Sequence, residues 1–124
     1  MDNSPLRDRR ILVVEDEYLI AMSLQDALEN AGSVVVGPVP SVENAIKKID
    51  SEPHIDAAVV DVNLGGELAY AVADMLIARK IPFVFTSGYE DNVMRNRYAH
   101  VKNCPKPYMF AAMEEALAEA LSRS

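Results

Sequence analysis

The chain has 124 residues, 50% of them hydrophobic and 25% charged, with a formal net charge of −7. That length suits one domain able to bury a core, and the acidic balance argues against nucleic acid as a partner, because phosphate binding needs a basic footprint. A single cysteine, Cys104, excludes an internal disulfide, no apolar run reaches the ~18 residues of a membrane span, and residues 1–10 are too polar for a signal peptide, so the expected location is cytoplasmic with no membrane partner.

Residues 1–9 read as an N-terminal tail ahead of one domain over residues 10–124. Arg7, Arg9 and Arg10, interrupted by Asp8, form a solvated basic edge rather than a binding patch. The first strand is Arg10 to Val14, all apolar after Arg10 and ending in Glu15-Asp16. A helix follows from about Glu17, with Ile20, Leu24, Ala27, Leu28 and Ala31 on one face and Gly32 as its stop. A short second strand, Val34 to Val36, ends at Gly37-Pro38. Ser41 caps a second helix whose stripe is Val42, Ala45, Ile46 and Ile49, with Lys47 and Lys48 outward and Pro53 closing it.

The third strand, about Asp56 to Val60, ends in Asp61 and a Gly65-Gly66 loop. The third helix turns Leu68, Val72, Met75 and Leu76 inward. Pro82 opens the fourth strand, Phe83 to Thr86, which ends at Ser87-Gly88. A polar fourth helix spans Glu90 to Tyr98, and a fifth strand lies around Val101 to Cys104. Pro107 suits a first helical turn, and the last helix buries Met109, Met113, Leu117 and Leu121. A methionine stripe at that spacing is core packing. Cys104 is a small buried hydrophobe; His54 and His100 are loop or surface residues.

Alternating strands and helices with short connections give an α/β, doubly wound parallel sheet of five strands with helices on both faces. The pattern leaves the strand order open; 2-1-3-4-5 is one of two common arrangements. In such sheets chemistry sits in the crevice beyond the carboxyl ends of the strands. Neighbouring first and third strands bring Glu15, Asp16 and Asp61 to one rim. Two charges ~4 Å apart repel by roughly 4 kcal/mol at an effective dielectric of ~20. Something positive must sit among them, and an oxygen-liganded divalent cation is the first candidate.

Glu15-Asp16 after strand one, Asp61 after strand three, Ser87 after strand four and Lys106 after strand five form a constellation that resembles the receiver domain of two-component response regulators. The resemblance covers essentially the whole chain and implies the flavodoxin-like order 2-1-3-4-5. It implies that Asp61 is the phosphoacceptor for a sensor histidine kinase or histidine phosphotransferase. Glu15, Asp16, Asp61 and the backbone carbonyl of Asn63 would hold Mg²⁺, and Lys106 would meet the phosphoryl oxygens. Its peptide bond to Pro107 is often cis in that family. Thr86 and Ser87 are adjacent and point to opposite faces; the family's spacing from Pro82 selects Ser87.

Two positions depart from the family pattern. Gly65 stands where many receivers have proline, and Asn103 stands where many carry the switching aromatic. The Phe85-Thr86-Ser87-Gly88-Tyr89 stretch resembles a branch with a Phe-x-Thr-Gly-Tyr-like motif, in which Tyr89 takes that role with Ser87. The expected function is therefore a phosphoacceptor that signals to a protein partner through a conformational switch, and no enzyme beyond its own phosphorylation and dephosphorylation. A homodimer would use helix four, strand five and helix five. Two alternatives differ in class. One is a Mg²⁺-dependent aspartyl-phosphate phosphohydrolase, for which Asn63 stands in place of the needed second acid. The other is a phosphorylation-independent interaction module.

Overall fold

The computed structural model describes residues 4–88 and 98–123. Its elements are β1 (Arg10–Val14), α1 (Tyr18–Asn30), β2 (Val34–Val39), α2 (Val42–Ser51), β3 (Ala57–Asp61), β4 (Asn63–Leu64), β5 (Glu67–Leu68), α3 (Tyr70–Ala78), β6 (Phe83–Ser87), β7 (Asn103–Pro105) and α4 (Phe110–Arg123). The main sheet has five strands in the order β2-β1-β3-β6-β7, all pairs parallel. This is the expected 2-1-3-4-5 order, with the labels displaced by an inserted hairpin. The expected fourth helix lies outside the described residues, apart from Tyr98 in a turn.

Strand alternation divides the core in two. Leu12, Val14, Ala58, Val60, Phe83 and Phe85 face α2 and α3, whose Val42, Ala45, Ile49, Val72, Ala73 and Leu76 close that side. Ile11, Val13, Ala57, Val59 and Val84 face α1 and α4, meeting Leu24, Leu28, Met113 and Leu117. Full burial of a Leu, Ile or Val side chain is worth about 1.5–3 kcal/mol, so these two layers hold the helices on opposite faces. The Ser41 hydroxyl accepts from the Asn44 N–H at 3.1 Å, capping α2 as expected.

Several boundaries differ from the sequence reading. β2 runs on through Gly37-Pro38 to Val39. The register shifts between Leu12 and Val14, so three residues of β2 oppose two of β1. β2 is an edge strand, where a bulge and a proline are tolerated. Gly37 has φ +93°, and a Cβ there would lie 2.9 Å from the Val39 nitrogen, so only glycine fits. The extension lets the Glu15 N–H donate to the Val39 carbonyl at 3.0 Å, which fixes the chain where the acids emerge.

The residues after Asp61 form an antiparallel hairpin, Asn63 against Leu68 and Leu64 against Glu67. Leu68 therefore lies in β5 rather than on α3. β3 and β7 each start later than the periodicity suggests, at Ala57 and Asn103. Pro107 precedes the last helix by three residues, and Met109 is 77% exposed instead of buried. Ala116 joins Met113 and Leu117 as the packed stripe. The segment ahead of β1 is no loose tail: Leu6 is fully buried, its carbonyl accepts from the Ser33 hydroxyl at 2.8 Å, and the Asp8 N–H donates to the Gly32 carbonyl at 2.9 Å. Arg10 is tied down as well, to Glu52 at 2.8 Å and the His54 carbonyl at 2.8 Å.

Candidate functional site: an acidic notch closed by a lysine

Three neighbouring strands and the turn after a fourth deliver the candidate residues. β1 ends at Val14 and releases Glu15 and Asp16; β3, its parallel partner, ends in Asp61. β6 carries Thr86 opposite Asp61 in register, and the turn after β7 brings Lys106, joined to Pro107 by a cis peptide. The Lys106 N–H donates to the Ser87 carbonyl at 2.7 Å, so the lysine backbone is anchored to β6.

Lys106 Nζ lies 2.7 Å from Asp61 Oδ2, 2.9 Å from Glu15 Oε1 and 3.2 Å from Glu17 Oε1. Carboxylate oxygens of Glu15, Asp16 and Asp61 all lie within 4.8 Å of one another. Backbone donors finish the arrangement. Asp61 Oδ1 accepts from the Asn63 N–H at 3.0 Å, Glu15 Oε2 from the Glu17 N–H at 3.0 Å, and Asp16 Oδ2 from the Gly65 N–H at 3.0 Å. Proline at position 65 could not make that last bond, nor adopt the φ of +63° found there. The Asn63 side chain is engaged elsewhere, its Oδ1 accepting from the Gly66 N–H at 2.8 Å.

Burial and charge oppose each other at the centre. Glu15 and Asp61 are buried, while Asp16 is exposed. Burial pushes the Glu15 carboxyl up to about 7; the Glu17 N–H and Lys106 oppose the rise and the Asp61 charge adds to it. For Lys106 burial disfavours the ammonium, yet its hydrogen bonds to Asp61 and Glu15 prevail and hold it above the ordinary lysine range. Tyr108, half-buried beside them, is raised to about 12 by burial first and then by the Glu15 charge.

Asp16, Glu17, Asp61, Asn63, Gly65, Gly66, Gly88 and Lys106 line a cavity of about 250 Å³ open at the rim. The donors are all oxygen, and one carboxylate is exposed. That suits a hard divalent ion that keeps several of its waters, so Mg²⁺ fits the residues present. Ser87 is buried at the end of β6. Alternation places it on the Phe85 side of the sheet, whereas Thr86 shares the Asp61 side. Tyr89 lies outside the described residues. Glu17 was not anticipated as a Lys106 partner; its signal was the third acid of the Glu15-Asp16-Glu17 run. None of the described helices is long and apolar enough to cross a membrane.

Known proteins resemble this chain over most of its length. The phyllosphere-induced regulator PhyR of Methylorubrum extorquens is 28% identical over 114 residues, covering 90% of this chain but only 43% of that regulator's length. The solution structure of SdrG from Sphingomonas melonis Fr1 is 43% identical, with a TM-score of 0.82 over 93% of this chain and 97% of SdrG. The solution structure of the BeF3-activated conformation of SdrG, from Pseudomonas melonis Fr1, is 41% identical, with a TM-score of 0.75 over 98% of this chain and 99% of that one. The model of the response regulator receiver domain matches residues 11–104, and the chain belongs to that family, a module of two-component signalling.

Proposed function

We propose that the protein is a phosphoacceptor that takes a phosphoryl group from a histidine kinase or histidine phosphotransferase onto Asp61 and passes the signal to a protein partner. The contact that carries this reading is the 2.7 Å ion pair from Lys106 to Asp61, inside a notch of three convergent carboxylates. One Asp61 carboxylate oxygen attacks the phosphorus of a phosphohistidine. An O–P bond forms as the P–N bond breaks, and the imidazole leaves with the electron pair and takes up a proton.

Such transfer asks the protein mainly for position and charge. The Asn63 N–H and Lys106 fix the acceptor carboxylate. Lys106 then follows the charge to the phosphoryl oxygens, and Ser87 turns toward them as the switch hydroxyl, with Tyr89 the proposed moving aromatic. Glu15, Asp16, Asp61 and the Asn63 carbonyl would hold Mg²⁺, which when bound offsets the negative charge shared by the carboxylates and the phosphoryl group. The likeness to SdrG in its BeF3-activated conformation supports a phosphoryl-responsive site.

An apolar groove of about 560 Å³ adjoins Lys106, with Leu19, Ile20, Leu24, Pro107, Tyr108 and Phe110 among its walls. Leu19 is 80% exposed there. We assign it to the phosphodonor's apolar surface, beside the acceptor. Work in the cytoplasm and a homodimer through the segment before Tyr98, β7 and α4 belong to the same proposal. The test is incubation with Mg²⁺ and acetyl phosphate, or with a phosphorylated kinase, followed by intact mass. A phosphoryl adduct on the wild type and none on Asp61→Asn is expected; no adduct from either donor, or an adduct that survives Asp61→Asn, refutes the proposal.

A further inference from the structure

Thr86 is 1% exposed. Among the described residues its Oγ1 is the buried side-chain polar atom with no hydrogen-bond partner. A buried hydroxyl left unpaired destabilises the fold, whereas valine of the same shape would not. The position is not neutral ground. Thr86 pairs in register with Asp61 on one side and Cys104 on the other. Parallel strands lie ~4.8 Å apart, and alternation puts Thr86 on the face shared by Asp61 and Lys106.

Asp61 already has donors on both oxygens, Lys106 Nζ on Oδ2 at 2.7 Å and the Asn63 N–H on Oδ1 at 3.0 Å. The hydroxyl is therefore surplus while Asp61 is unmodified. We propose that Thr86 supplies a hydrogen bond to the Asp61 carboxyl once it is phosphorylated, and thereby sets the lifetime of the acyl phosphate. The inference rests on Asp61 being the phosphoacceptor. When Lys106 moves to the phosphoryl oxygens, the acyl oxygen it leaves loses its donor, and the Thr86 hydroxyl takes the place. In hydrolysis a water oxygen bonds to phosphorus as the P–O bond to Asp61 breaks. The electron pair returns to the Asp61 carboxylate, and the water's proton leaves with inorganic phosphate. Negative charge grows on the Asp61 oxygens during that step, so a donor aimed at them strengthens toward the transition state. Thr86 shortens the lifetime.

The experiment compares wild type, Thr86→Val and Thr86→Ser, each phosphorylated with acetyl phosphate and Mg²⁺, freed of donor and followed by intact mass. Thr86→Val keeps the shape and loses the hydroxyl; Thr86→Ser keeps the hydroxyl and loses the methyl. The expected result is an acyl-phosphate half-life about two- to tenfold longer in Thr86→Val, the range for one hydrogen bond, with Thr86→Ser close to wild type. Unmodified Thr86→Val should melt no lower than wild type. An unchanged or shorter half-life in Thr86→Val, a lengthening matched by Thr86→Ser, or a lowered melting temperature overturns the inference while leaving Asp61 as the acceptor. An adduct absent from wild type or retained in Asp61→Asn overturns both.

Discussion

Replacing Lys106 with methionine removes one positive charge and keeps most of the stem. The ammonium serves two buried carboxylates, with side-chain exposures of 12% for Lys106, 4% for Asp61 and 3% for Glu15. Glu17 is 60% exposed, and water screens its share to at most about 1 kcal/mol. Breaking a buried pair by deleting one partner costs about 3–5 kcal/mol, because the other charge is left uncompensated. Glu15 can relieve part of this by taking a proton, since its carboxyl already sits at about 7. We therefore expect metal-free Lys106→Met to lose about 3 kcal/mol at about pH 8 and clearly less at about pH 6, where Glu15 is largely protonated in both proteins. Adding Asp61→Asn should recover much of the loss, and Mg²⁺ should stabilise Lys106→Met more than wild type. Urea denaturation at the two pH values, with and without Mg²⁺, measures all of this. A loss below about 0.5 kcal/mol at the higher pH, the scale of an ordinary surface substitution, would refute the picture of a lysine neutralising a buried acid pair.

Four further predictions follow from the geometry. Because the folded Glu15 carboxyl is raised from 4.5 to about 7, its contribution to stability is full below pH 4.5 and is lost as pH rises through 7; Glu15→Gln should flatten that part of the stability curve of the metal-free protein. For the same reason Mg²⁺ should bind more tightly as pH rises from about 6 to about 8, with proton release visible by calorimetry in buffers of different ionisation enthalpy. Leu6→Ala should cost about 2–5 kcal/mol in denaturant, as for a buried leucine, whereas a loose tail would show no change. Ser41→Ala should cost about 1 kcal/mol through loss of the α2 cap, read as a lower denaturation midpoint at constant slope.

The periodicity of apolar residues determined the layered architecture. Strands such as Leu12 to Val14 and Ala57 to Val60 carry no polar residue, which requires cover on both faces, and the stripes of α1 and α2 supply that cover. The acids at the ends of the first and third strands were expected at the rim for a related reason, since charge placed directly after an all-apolar strand has only the sheet's rim to occupy, whereas the choice of Ser87 over Thr86 came from family likeness. Strand order came from family likeness, because pairing between distant segments leaves no mark on local pattern.

Features that depend on a single contact with a distant segment were settled by the tertiary structure alone. Two-residue strands are too short to show a period, so the Asn63–Leu68 hairpin was hidden until Gly65 met Asp16. Met109 fits the helical stripe, yet the chain starts α4 after it, and Leu6 looks like tail until Ser33 and Gly32 hold it against the core. Glu17 gained its partner only because β7 carries Lys106 to it. The polar isolation of Thr86 likewise follows from its neighbours in the sheet: the sequence specifies a hydroxyl at that position, but which groups surround it is a property of the packed strands.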